Sequence, residues 1–262
     1  STDNPAYLFL ISGRTLANQG YWNLAARAFE NATELHPEYA EAWAYLGESQ
    51  QHTDQEVEPL TALEKAFELN PDSLAANTFL ALYWQRNGDY ERALNYMQNA
   101  LTLDPENPAY LVEIGQLVAL LGDLMAGEAY YWHAYDSSSG DPKYAREFIK
   151  FSMQFNLDLR TTALPMARQL VTDDPGTPTS LDLMGEILLR LGDMLNAERF
   201  FLRALQNDPE YDLAYLHLGE FYQDQGKPDL ARHYLVKVLD VSSNPIIIER
   251  VQQVLSTDLA PK

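Results

Sequence analysis

Cysteine is absent from all 262 residues. Its absence excludes thiolate nucleophiles, disulfide frameworks, zinc ribbons and Cys-ligated iron–sulfur clusters, and leaves the redox compartment open. Cationic residues are scarce, with 18 Lys and Arg against 38 Asp and Glu, a formal charge of −20. Sequence-independent binding of nucleic acid or anionic lipid rests on cations that neutralise phosphates, so neither is expected. Long apolar runs are missing too. Residues 114–125 are interrupted by Gln116, Gly122 and Asp123, and residues 187–195 by Arg190, Gly192 and Asp193. Neither stretch provides the roughly 20 apolar residues of a membrane helix. Residues 1–5 lack the basic start and apolar core of a signal peptide. Direct membrane insertion is therefore not expected. The compartment stays open with the cytoplasm favoured, and a first residue other than Met is compatible with an anchor upstream. No G-x-x-x-x-G-K-[ST], G-x-G-x-x-G or G-x-S-x-G pattern occurs, which removes the common nucleotide and serine-hydrolase signatures.

What the chain has is a period. Pro37, Pro71 and Pro105 are 34 residues apart, as are Pro175 and Pro209, and the step from 105 to 175 is 70. Gly13, Gly47, Gly115, Gly185 and Gly219 follow the same spacing, and so do Gly20, Gly88, Gly122, Gly192 and Gly226. Three series thus place two extra residues in the same stretch. Between the markers the apolar residues recur at helical spacing. Leu80, Ala81 and Trp84 form one stripe and Ala93, Met97 and Ala100 a facing one. The first glycine, replaced by Ala81 in the third repeat, leaves room for a neighbouring helix. The second permits a tight turn, and the proline stops the second helix.

The pattern resembles the tetratricopeptide repeat, W-x2-L-G-x2-Y followed by A-x3-F and P within 34 residues. Repeat two carries Trp43, Leu46, Gly47 and Pro71; repeat seven carries Tyr215, Leu218, Gly219, Tyr222 and Ala231; repeat six carries Gly185, Ala197, Phe201, Ala204 and Pro209. The resemblance implies an all-α, right-handed superhelical solenoid of antiparallel helix hairpins. Seven repeats are expected at about 5–37, 38–71, 72–105, 106–141, 142–175, 176–209 and 210–245, after a disordered tail at 1–4. A capping helix and tail follow at 246–262, with an apolar stripe at 247, 248, 251, 254 and 255. Repeat five deviates. With Ser152 aligned to the packing glycine, it has three residues too many around 136–142 and a turn at 156–158 one residue short. That arrangement is either a hinge between residues 5–136 and 142–256 or a lengthened loop in an unbroken stack.

The resemblance also implies a concave groove lined by the first helix of each hairpin, used to hold peptides or partner helices. The aligned groove positions include Tyr7, Leu10 and Arg14; Glu41, Glu48 and Gln51; Thr78, Leu82 and Gln85; Val112 and Gln116; Ile149 and Met153; Asp182, Glu186 and Leu189; and Leu216, Glu220 and Gln223. They predict an apolar middle at Leu82, Val112, Ile149 and Met153 between acidic patches, and hence a protein or peptide partner with basic residues and apolar anchors. A carboxylate clamp is not expected beside Glu41 and Glu48. Trp132 is expected to point outward on the convex side, covered by the 136–142 loop or serving self-association, so the chain is read as a monomer or weak homodimer. No catalytic residues, cofactor or metal are expected. His217 and Glu220 share one helix face without a second ligand pair, and read as a surface polar pair. The sequence reading is a non-catalytic interaction scaffold. Its alternative is the structural or regulatory soluble part of a larger or membrane-anchored assembly.

Overall fold

The computed structural model describes residues 4–53 and 58–257, and every regular element among them is helical. Of the expected N-terminal tail, residues 1–3 lie outside the described residues and Asn4 caps the first helix; the tail beyond residue 257 also lies outside them. The chain divides into two compact units, residues 1–138 and 139–262. Unit 1 holds four hairpins: α1 (Pro5–Asn18) with α2 (Trp22–Leu35), α3 (Ala40–Gln50) with α4 (Pro59–Leu69), α5 (Leu74–Arg86) with α6 (Tyr90–Leu103), and α7 (Pro108–Leu120) with α8 (Leu124–Ser137). Unit 2 opens with α9 (Pro142–Gln154) and a π-helical turn (Leu159–Ala163) that runs into α10 (Leu164–Asp173). It continues with α11 (Pro178–Arg190) and α12 (Met194–Asn207), then α13 (Asp212–Asp224) and α14 (Pro228–Val241), and ends on α15 (Pro245–Thr257). Each unit is a stack of antiparallel helix pairs, as in an α-solenoid.

Packing explains the repeated residue types. A Cβ on Gly185 would lie 2.5 Å from the ring of Phe201, which is itself fully buried. Only glycine lets α12 approach α11 so closely. Gly122 turns the chain at φ +103°, and the residue after it, Asp123, caps α8 by accepting from the Ala126 N–H. Gly88-Asp89 and Gly192-Asp193 repeat this turn-and-cap pair. The interior of unit 1 is built on Leu10, Phe29, Leu46, Met97 and Ile114, and that of unit 2 on Phe201, Leu218, Phe221 and Leu235. On α15, Val251 is fully buried against the unit 2 core, with Ile247, Val254 and Leu255 partly buried beside it.

The two extra residues are not where the sequence alignment puts them. Helices α5, α7 and α9 begin at 74, 108 and 142 and end at 86, 120 and 154, all in steps of 34, so nothing is inserted at 136–142. Asn156, at φ +49°, takes the left-handed turn position 34 residues after Gly122. The helix cap then falls one residue late, on Asp158, and the π-helical turn takes up a second. The register therefore places Ile149, not Ser152, at the position of Gly115. The glycine-bearing hairpins have no room for a side chain there; a hairpin with isoleucine must be built differently, and both insertions lie in its turn and second helix. At 139, where other repeats carry proline, Ser139 has φ +57°, which the proline ring forbids.

Candidate functional site

In unit 1 the first helices of consecutive hairpins leave a cavity of about 840 Å³ between α3 and α5, with Tyr110 of α7 at its edge. Its walls include the rings of Tyr39, Tyr45, Phe79 and Tyr110 and the carboxylates of Glu38, Glu41 and Asp72. Tyr45 and Phe79 meet edge to face at 5.1 Å, and the Tyr110 hydroxyl is 3.4 Å from Thr78 Oγ1. Burial raises the phenol pKa of Tyr39 and of Tyr45, so both hydroxyls stay protonated. The side chain of Arg14 reaches to this wall from α1, 5.2 Å from the Tyr45 ring centroid and 3.5 Å from Glu41 Oε1. A cation held by an aromatic face and a carboxylate is thus already present in the fold.

The expected groove residues divide into accessible and buried. Tyr7, Arg14, Glu41, Gln51, Thr78, Leu82, Gln85, Val112, Gln116, Glu186, Leu189, Glu220 and Gln223 keep some surface. Leu10, Ile149 and Leu216 do not: Leu10 shares a core cluster with Ala42 and Leu46 of α3 and Leu216 one with Val251 of α15, while Ile149 is buried at the repeat position of Gly115, which faces the second helix of its own hairpin. Met153, 6% exposed, is buried also. With the corrected register, α9 presents Lys143, Arg146 and Lys150 at the repeat positions that Ala109, Val112 and Gln116 hold in α7. The apolar middle expected at Ile149 and Met153 is replaced there by cationic residues. Trp132 on α8 is 52% exposed, so it is not buried under a loop; Tyr135 lies beside it, ring centroids 5.7 Å apart.

The expected acidic patches are largely neutralised from within. Glu48 is buried and accepts from both terminal guanidinium nitrogens of Arg86 at 3.1 Å and from Gln51 at 2.8 Å, with His52 Nε2 at 3.0 Å. Glu220 is paired with Arg250 of α15. Asp182, 2% exposed, lies 2.8 Å from Nδ1 of His217 and accepts from the Tyr211 hydroxyl at 3.5 Å. Burial alone would lower the His217 pKa, but its hydrogen bond to Asp182 and the charges of Asp182, Glu186 and Glu220 raise it to about 9. Burial raises the Glu186 carboxyl above the usual range; His217 and Arg190 oppose this, and Asp182 and Glu220 add to it. A second cavity, of about 350 Å³, is lined by Glu186, His217, Glu220 and Arg250 among others.

Family models of the tetratricopeptide repeat match residues 12–53 and 80–142 in one form, and 178–211 and 213–245 in another. The chain belongs to the tetratricopeptide repeat family. A TPR repeat-containing protein of Pseudomonas aeruginosa is 38% identical over 73 residues, 26% of this chain and 12% of that protein. A tetratricopeptide repeat protein from Parabacteroides merdae superposes with a TM-score of 0.71 at 14% identity, covering 97% of this chain and 99% of its own. Yeast Tom70 superposes with a TM-score of 0.64 at 17% identity over 90% of this chain, which spans about half (51%) of Tom70. These structural likenesses establish the solenoid fold. No helix among the described residues is long and apolar enough to cross a membrane.

The tetratricopeptide pattern found Glu41 and Thr78 of the unit 1 cavity but missed its aromatic residues. Tyr45, Phe79 and Tyr110 stand next to groove positions rather than on them. Another signal was legible: Trp43 and Asn77, one period apart, each donate a side-chain N–H at 2.8 Å to the carbonyl of the proline six residues back, Pro37 and Pro71. This bond ties the end of one tetratricopeptide hairpin to the start of the next.

Proposed function

We propose that this chain is a non-catalytic interaction module that holds a segment of a partner protein in the unit 1 cavity. The observation that carries the reading is the cavity of about 840 Å³ in which four aromatic rings stand beside Glu38, Glu41 and Asp72. Its size and lining suit an aromatic or long apolar side chain next to Lys or Arg. Arg14, set between Tyr45 and Glu41, is an intramolecular example of the contact offered. The tetratricopeptide fold supports an interaction scaffold in general, and its concave face is the expected surface for a peptide or helix. A basic partner is drawn first to Glu38, Glu41 and Asp72, because Glu48 and Asp182 are already satisfied. The test is selection from a random peptide display library. The wild type is expected to enrich segments combining an aromatic or apolar anchor with Lys or Arg, and Thr78→Arg, which places a cation in the cavity, is expected to enrich none of them. Identical enrichment by both proteins rules out this cavity.

Self-association is a second reading, favoured by the half-exposed Trp132 with Tyr135 beside it. Sedimentation velocity on the wild type and Trp132→Ala decides it: a concentration-dependent dimer lost in the variant supports this reading, and a monomer throughout excludes it.

A further inference from the structure

Asp182, Glu186 and His217 of unit 2 each place a donor atom within 4.8 Å of those of the other two. The imidazole gives its two nitrogens different surroundings. Nδ1 is hydrogen-bonded to Asp182 at 2.8 Å, and Phe201 packs beside the ring at a centroid distance of 5.5 Å. Nε2 stands 3.9 Å from Glu186 Oε1, beyond hydrogen-bond range, although the side chain is only 17% exposed. His217 and Glu186 both line the cavity of about 350 Å³, as does Glu220, one helical turn beyond His217 on α13.

This spacing is that of two ligands on one metal ion. An imidazole nitrogen about 2.0–2.1 Å and a carboxylate oxygen about 2.0–2.2 Å from a zinc ion stand roughly 3.3–4 Å apart when the angle at the metal is tetrahedral or wider. A carboxylate bonded to the far ring nitrogen fixes the tautomer and orientation of a ligating histidine, and Asp182 is placed to do so. We propose that unit 2 binds a divalent transition-metal ion through His217 Nε2 and Glu186, with Asp182 orienting the ring and Glu220 and water completing the coordination. Imidazole with carboxylates suits zinc and its first-row neighbours, whereas magnesium and calcium prefer oxygen alone. Arg250, now paired with Glu220, is displaced by the metal, and the proton on His217 Nε2 leaves to solvent as the ion binds. Surface carboxylates are numerous in this chain, but a partly buried histidine with one unbonded nitrogen lining a cavity separates this cluster from them.

Zinc chloride titrated into the untagged, metal-stripped full chain by calorimetry tests the site. One ion per chain is expected, weakened about 10-fold or more in Glu186→Gln and about 10–100-fold in Asp182→Asn, and unchanged in His133→Gln and His233→Gln. Arg250→Gln removes the competing cation, and binding is expected to tighten. X-ray absorption on the zinc-loaded wild type is expected to show a single imidazole among oxygen ligands, a readout that needs no variant to fold. The proposal is overturned by the absence of stoichiometric binding at micromolar zinc, by unchanged affinity in Glu186→Gln, by weaker binding in Arg250→Gln, or by two or more imidazoles around the zinc.

Discussion

Glu48 in unit 1 and Glu186 in unit 2 occupy the same position of the repeat, yet the two carboxylates end in opposite circumstances. Glu48 is met by both Arg86 guanidinium nitrogens, Gln51 and His52. Glu186 has only His217 at 3.9 Å among the described ion pairs, and its carboxyl pKa is raised by burial. The difference lies in what the other first helices supply. Arg86 and Arg190 are also equivalent, and both reach back to the preceding first helix: Arg86 to Glu48 and Gln51, Arg190 to the Met153 carbonyl at 3.2 Å. From the following helix, α13 offers Glu186 a histidine that Asp182 already holds. A repeat position therefore fixes where a side chain stands, and the neighbouring repeats decide whether it is a closed structural pair or an open coordinating group.

The largest effect is expected at Asp182. Asp182→Ala leaves the His217 imidazole buried without its partner, and about 2–3 kcal/mol of stability is expected to be lost, since the ring can shed its proton rather than stay charged. Urea unfolding followed by far-ultraviolet circular dichroism measures this. All four tryptophans lie in unit 1, so fluorescence reads that unit alone. A pH series sharpens the same contrast. His217 binds its proton more tightly folded, at about 9, than at its ordinary value of 6.5. Its contribution is therefore fully present below pH 6.5 and is lost as the pH rises through 9, a change on the order of 1–3 kcal/mol in metal-free buffer. Asp182→Asn is expected to flatten that slope, and a slope that survives would place its source elsewhere.

In unit 1, Glu48→Ala is expected to cost about 1–2 kcal/mol, because Arg86 is partly exposed and can return to water. Guanidinium unfolding read by tryptophan fluorescence gives the value, and a loss above that of Asp182→Ala would reverse the ranking of the two sites. Arg14→Ala is the smallest perturbation, within about 0.5 kcal/mol for so exposed a pair. Its expected effect is on binding: peptides with Lys or Arg should bind the freed Tyr45 and Glu41 wall more tightly, as fluorescence polarisation would show.

Much of the fold was legible because its determinants are local. The glycine at 185 is required by one ring at 2.5 Å, and the turn-and-cap pairs act over three or four residues. Repeat five was misread for the same reason. A left-handed asparagine at 156 and a π-helical turn do the work of a glycine and an ordinary helix start, and neither carries a one-letter signature. The misplaced register then put the core residue Ile149 among the groove positions and left out Lys143 and Lys150. The exposure of the groove was overread because a solenoid's first helices cover one another: Leu10 and Leu216 face the next helix, not solvent.

By itself the sequence determined the repeat length, the hairpin architecture and the absence of thiol chemistry, since each follows from residue type and short-range spacing. Only the tertiary structure decided which carboxylates are satisfied. Glu48 and Arg86 are 38 residues apart, and Asp182 and His217 are 35 apart. Those pairs form because adjacent hairpins stack, and the side chain met across that interface depends on geometry that periodicity alone does not encode.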